Sequence, residues 1–330
     1  MRFHHEGNAE TSSNRIFPAV ANTFCLIPSH IIQRITMPLI SPFDPWHSGL
    51  CTCPPKLTFN PYTGCDHQCL YCYATSYIPN HRTLRTKKDM LTVLRRQIRR
   101  LDGEILAMSS SSDPYPTVEA DLGLTRQCIK VIAESRCRLQ VFTKSDFVAR
   151  DVDLLEQMPC TVALTITTID DQLASILEPK APPPSKRLKA IEVLTVHGIP
   201  VIVRIDPIIP FLNDDPTELL RALGERGVRH ITSSTYKAKT DNWQRLKEAL
   251  PQTTEKLYPL YFKQAETAGG NRLLPRELRF SLMKKVRDLA QAQGMQFGVC
   301  REGLTELNTA PCDGSRLMPK AKEAAQCKLA

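Results

Sequence analysis

Asn60-Pro-Tyr-Thr-Gly-Cys65-Asp-His-Gln-Cys69-Leu-Tyr-Cys72-Tyr73 places three thiols in one short stretch, directly after a run that reads as a β-strand over 57–62. Three thiolates on one loop can converge on a single inorganic centre, with Gly64 permitting the turn at the loop entrance. No fourth protein ligand stands nearby. In a 4Fe-4S cluster that leaves one iron free to bind a small molecule, by the logic that separates open catalytic metal sites from closed structural ones. A structural zinc site completed by a distant Cys or His, and unligated core cysteines, are the plainer alternatives, and both leave the spacing unexplained.

Outward from this loop the chain alternates short β-rich runs with helical patterns, which argues for βα units around a parallel sheet. Strands are expected over 57–62, 104–108, 138–142, 161–167, 200–205 and 230–233, and helices over 87–101, 125–135, 147–157, 186–197 and 216–226. The count suits an α/β partial barrel of six units. Pro182-Pro183-Pro184 makes the fourth crossover stiff and extended. Beyond it, 243–265 and 275–293 read as helices and 296–300 as a last strand leading into a tail. The organisation expected is an arm over 1–50, a barrel core over 51–235, and a helical C-terminal extension with a Cys-containing tail over 236–330. No internal repeat is present.

The spacing Cys-x3-Cys-x2-Cys, with the aromatic Tyr71 before its last cysteine, resembles the signature of the radical S-adenosylmethionine (SAM) superfamily. Further stretches resemble its spore photoproduct lyase-like, DNA repair photolyase-related branch, in particular an archaeal-type subgroup of unknown substrate. These are Tyr71 and Tyr73 around Cys72, Ser110-Ser-Ser-Asp-Pro-Tyr115 with Glu119, Thr143-Lys144-Ser145, Leu164-Thr165-Ile166-Thr167, Glu178-Pro179 with Arg187, and Arg204-Ile-Asp-Pro-Ile-Ile-Pro210 with Asn213-Asp214. The resemblance implies a partial (β/α)6 barrel of the TIM type. It implies a 4Fe-4S cluster on Cys65, Cys69 and Cys72 whose open iron chelates SAM, and cleavage of SAM to a 5′-deoxyadenosyl radical that removes hydrogen from a substrate.

By the same resemblance Tyr71, Ser111, Ser112, Lys144, Thr165 and Arg204 would bind SAM, the cations at its carboxylate and the hydroxyls at its amine or ribose. Most of these lie at strand ends, which in a parallel barrel face one mouth. One position departs from the family. Spore photoproduct lyases proper carry a hydrogen-donating cysteine where this chain has Ser110, and a serine O–H bond is too strong for that task. Tyr73, Tyr115 or another thiol would then supply the hydrogen, and "lyase-like" describes fold and cofactor rather than reaction.

A formal charge of +9, with Arg82, Arg85, Lys87, Lys88, Arg95, Arg96, Arg99 and Arg100 close together, suits a nucleic-acid partner, although Arg95, Arg96, Arg99 and Arg100 taken alone read first as the solvated face of a helix. No apolar run is long enough to cross a bilayer, no secretory leader is read at the N-terminus, and a cytoplasmic location is expected. Twelve cysteines in a reducing compartment point to metal or catalysis rather than disulfides. Cys51, Cys53, Cys300 and Cys312 would form a second metal site, zinc or an auxiliary iron–sulfur cluster, if the two ends of the barrel meet; buried or incidental thiols are the plainer reading, since Cys-x-Cys is a tight pair and the gap from Cys300 to Cys312 is long. A reductant such as flavodoxin or ferredoxin is expected. His67 reads as exposed polar filler, with contact to the cluster or substrate as the alternative, and Trp243, Tyr258, Tyr261 and Phe262 as helix packing or a surface for stacking on bases. Three functions stay open: a radical SAM enzyme for nucleic acid, one for a protein or metabolite, and a non-catalytic metal-binding module.

Overall fold

Eight strands lie side by side in chain order: β1 (Ser41–Pro42), β2 (Leu57–Phe59), β3 (Ile105–Met108), β4 (Arg138–Thr143), β5 (Cys160–Thr165), β6 (Val201–Ile208), β7 (His230–Thr235) and β8 (Gln296–Val299). The computed structural model describes residues 39–43, 49–109 and 111–319. The chain divides into two units, Met1–Met37 and Pro38–Ala330, and the residues described belong to the second. Most of the expected arm over 1–50 lies outside the described residues, as does Ser110.

Strands β2 to β8 are all parallel, and only β1 runs antiparallel, at the edge beside β2. The expected α/β barrel is present, with Gln296–Val299 adding a seventh parallel strand beside β7. Among the described residues β8 and β2 share no ladder, so the sheet is open along that seam. Every residue of β5 is buried, as a strand covered on both faces should be. β7 is equally buried, yet it reads His-Ile-Thr-Ser-Ser-Thr, and its four hydroxyls find partners inside the fold rather than in water.

The crossover helices are α1 (Met90–Ile98), α2 (Leu124–Ala133), α3 (Asp171–Leu177), α4 (Pro184–Val196) and α5 (Thr217–Glu225), followed by α6 (Thr240–Ala249), α7 (Pro251–Phe262) and α8 (Arg276–Ala292). Apolar residues of α1, α2, α4, α5 and α8 join the strands in the main core. The last residue of the triproline is the first of α4, where its fixed φ suits the helix and no N–H is missed. The helix expected over 147–157 is instead a 3-10 turn, Asp146–Asp151, followed by Val152–Leu155. The one expected over 243–265 divides into α6 and α7 at Pro251, and α3 was not anticipated. Asp170 starts α3 by accepting from the Gln172 and Leu173 amides, at 2.7 and 3.2 Å.

Candidate functional site

The C-terminal ends of the parallel strands open onto one cavity of about 560 Å³. Its wall brings together Cys65, Cys69 and Cys72 after β2, Ser111, Ser112 and Asp113 after β3, Lys144 after β4, Thr165 on β5, and Arg204 on β6. Residues far apart in sequence meet because the strand ends of a parallel barrel share one face.

The cysteine loop is held from three sides. At its start Gly64 has φ +88°, and a Cβ there would stand 2.3 Å from the Thr83 carbonyl oxygen, so only glycine fits. The Cys65 amide donates to His81 O at 2.7 Å. On the second side α3 and its end grip the loop: the Leu70 amide donates to Leu177 O at 2.9 Å and the Lys180 amide to His67 O at 3.2 Å. On the third, Arg245 of α6 donates to the carbonyls of Leu70 (3.0 Å) and Cys72 (2.7 Å). The C-terminal extension thus shapes the loop, a contact that no motif in the sequence announces.

Beneath the loop lies a buried ionic cluster. The Tyr71 hydroxyl donates to Glu178, which pairs with the Arg187 guanidinium at 2.5 Å and accepts from Thr167 at 3.1 Å. Arg187 also donates to the carbonyls of Thr165 and Pro182. Burial pushes the Glu178 carboxyl upward, but the charges of Arg187 and Lys144 outweigh it and hold it below its ordinary value. Lys144 sits over the Tyr71 ring, 5.5 Å from its centre. Burial draws its ammonium down while the nearby Cys69 and Glu178 raise it further, so the net shift is upward and the side chain stays charged. Among the described residues it makes no ion pair at contact distance. Burial pushes the Cys69 thiol up to about 12 and that of Cys65 well above the usual range, so a bound cation must displace both protons.

The other expected contacts divide. Thr165 is buried at the wall, and Arg204 faces Asp206 and lies 3.7 Å from the Cys300 sulfur. Ser112 reaches the cavity with its hydroxyl donated to Tyr62 O at 2.8 Å, and Ser111 accepts at its carbonyl from His81. Tyr73 lines the wall and is exposed. Tyr115 does not reach the cavity: it is buried in the main core with its hydroxyl 3.1 Å from Asp151. Glu119 is also structural, fully buried while it accepts from Tyr62, Thr125, Arg126 and Arg150. His67 is buried 3.5 Å from Asp113, not exposed as its loop position suggested. Trp243 and Tyr261 pack in a second core cluster, and Tyr258 stacks on Phe262 on the outside of α7.

Asp113 is the residue that sequence reasoning left without a role. It accepts from the Thr143 hydroxyl and the Lys144 amide, both at 2.7 Å, and so fixes the β4 end that presents Lys144. Lys56, Asp206, Lys237 and Arg301 also reach the cavity wall. All ten described cysteines are free thiols. Among the described residues no three Cys, His, Asp or Glu side chains already stand as a metal-binding group, so a metal would draw the loop thiols together.

A parallel barrel with three loop thiols at its mouth defines a class, and a family model agrees: residues 59–223 match the radical SAM superfamily. The chain belongs to that superfamily. Among relatives, it is 28% identical over 259 residues to an uncharacterized protein of Mycobacterium tuberculosis, covering 71% of this chain and 75% of that one. It is 36% identical over 166 residues to an uncharacterized protein of Methanocaldococcus jannaschii, covering 48% and 62%. Among solved structures, a spore photoproduct lyase variant with bound AdoMet and dinucleoside spore photoproduct has a TM-score of 0.55 at 16% identity, covering 76% of this chain and 78% of that one. At that identity the likeness speaks for the fold.

Proposed function

We propose that this chain cleaves SAM reductively and acts on a nucleic-acid substrate, as a repair lyase-like or modifying enzyme of the cytoplasm supplied with electrons by a flavodoxin or ferredoxin. The observation that carries the reading is the cavity itself, where three free thiols on one loop face a cation, Lys144, that lacks a carboxylate partner at contact distance among the described residues. The donor set fits the implied group. Cys65, Cys69 and Cys72 would hold a 4Fe-4S cluster, with Lys144 and Arg204 placed for a carboxylate and Thr165 and Ser111 for polar groups. When bound, cluster and SAM supply a 5′-deoxyadenosyl radical, which abstracts hydrogen from the substrate.

The chain's own residues do the positioning. The Tyr71–Glu178–Arg187 cluster fixes the loop, and Asp113 fixes Lys144. Nucleic acid is supported by the net charge of +9 and by a second depression that shares Tyr77 and His81 with the cavity and carries Arg82, its other arginine, Arg245, being paired with Asp241. No helix among the described residues is long and apolar enough to cross a membrane.

The test is anaerobic reconstitution, dithionite reduction and an EPR spectrum with and without SAM, followed by assay for 5′-deoxyadenosine. A reduced-cluster signal that shifts with SAM and vanishes in Cys65→Ala is expected; a SAM-indifferent centre would leave a metal-binding module. Binding to DNA and RNA is then measured against salt, where affinity should fall steeply as counterions compete. Affinity no greater than that of a neutral control protein at low salt would turn the search to peptides and metabolites.

A further inference from the structure

Four thiols outside the cysteine loop line the same cavity, and two of them meet across it. Cys53 and Cys312 stand 259 positions apart in sequence with their sulfurs 3.5 Å from each other. Cys51, two residues before Cys53, lines the same wall, and the Thr52 hydroxyl lies 3.8 Å from the Cys312 sulfur. The fourth, Cys300, follows β8 on the cavity wall.

The backbone is built to present Cys312. A Cβ at Gly298 would stand 2.5 Å from the Cys312 Cα, so β8 carries glycine where the tail crosses it. The Thr232 hydroxyl of β7 donates to the Cys312 carbonyl. The next residue, Asp313, pairs with Lys56 at 2.7 Å, both side chains almost fully buried, and Gln140 of β4 donates to the Asp313 carbonyl at 2.8 Å. The tail is therefore threaded into the barrel, with Cys312 at a fixed height.

Cations stand on the same wall. Arg204 lies 3.7 Å from the Cys300 sulfur, and Lys56 and Arg301 line the cavity with Cys51 and Cys53. Thiolates bound to zinc or to an iron–sulfur cluster leave net negative charge in a low-dielectric site, and such cations offset it.

We propose that Cys51, Cys53 and Cys312 bind a second metal centre through their thiolates, zinc or an auxiliary iron–sulfur cluster, with Cys300 as the fourth thiol. The centre ties the segment before β2 to the tail after β8, across the seam where the barrel has no ladder. Soft thiolates select these two metals, and the metal, not the protein, sets which of them fills the site.

The experiment compares three full-length proteins prepared anaerobically with iron, sulfide and zinc: wild type, Cys53→Ser/Cys312→Ser, and Cys65→Ala/Cys69→Ala/Cys72→Ala. Metal is counted by mass spectrometry, with circular dichroism to verify folding. The wild type should hold, beyond the about four irons of one cluster, either one further zinc or about four further irons. The serine variant should lose only that increment, and the alanine variant should keep only that increment. Because the alanine variant leaves the second centre intact, it decides the matter even if the serine variant does not fold, and it does so whatever the first cluster proves to do. A metal-free alanine variant, a serine variant with the wild-type metal count, or a Cys53–Cys312 disulfide recovered from metal-free protein would each overturn the proposal.

Discussion

Replacing Arg187 by methionine strands a carboxylate. The Arg187 side chain is 1% exposed, its partner Glu178 is fully buried, and the two meet at 2.5 Å. Removing one member of such a pair costs about 3–5 kcal/mol, because the remaining charge has lost both water and counter-ion. With an unfolding entropy of about 2.1 cal/mol/K per residue, 1 kcal/mol moves the Tm of a unit this large by about 1.5–2 °C, so Arg187→Met should lower Tm by roughly 5–10 °C. Glu178 keeps the Tyr71 and Thr167 hydroxyls and is helped by Lys144, which favours the lower half of that range. Arg187→Met/Glu178→Leu removes the stranded charge and should recover a large part of the loss, a coupling readable from a double-mutant cycle. Since the end of α3 grips the cysteine loop, the single variant should also take up less iron on anaerobic reconstitution. The assay is thermal and urea unfolding of Arg187→Met, Glu178→Leu and the double variant beside wild type. A single variant within about 2 °C of wild type, or a double variant as unstable as the sum of its parts, would refute the reasoning, since either result means that the buried pair is not coupled.

Lys144→Met should weaken SAM binding about 10- to 100-fold, the loss of one charge-assisted contact, with the cluster's EPR signal in the absence of SAM unchanged; equilibrium dialysis with labelled SAM measures it. Gly298→Ala should destabilise by about 1–3 kcal/mol, since its Cβ meets the Cys312 backbone rather than a movable side chain, and urea unfolding will show it. Cys128 and Cys160, whose thiols burial pushes up to about 12, should resist iodoacetamide at pH 8 in the native protein and react fully in denaturant, read by peptide mass spectrometry.

The fold was legible where local pattern and tertiary role coincide. Strands such as Cys160–Thr165 carry the β-branched and apolar run of a strand buried on both faces, and Cys65, Cys69 and Cys72, close in sequence, do come to one cavity wall. The strand Gln296–Val299 was visible too, yet its place beside β7 was not, because nothing in four residues tells which edge they join. Tyr115 and Glu119 were drawn toward the site by their closeness to a motif, whereas the turn after Asp113 points both into the core. His67 misled in the opposite sense, since a polar residue in a loop looks exposed until the loop is packed against Asp113. The Arg245 grip on the loop carbonyls could not be read at all: it depends on two segments whose contact only the completed fold creates.

The threaded tail makes the barrel a structure with a schedule. Lys56 waits for Asp313, and 257 positions of chain separate the two. At about 5–20 residues per second that is roughly 13–50 s of synthesis during which the lysine, and Cys53 beside it, face an unfinished interior. The floor of the cavity is thus the last thing built. A nascent chain interrupted before β8 would have its cysteine loop and its sheet but an unplugged barrel, and a ribosome pausing near the end of the message would hold the protein in that state.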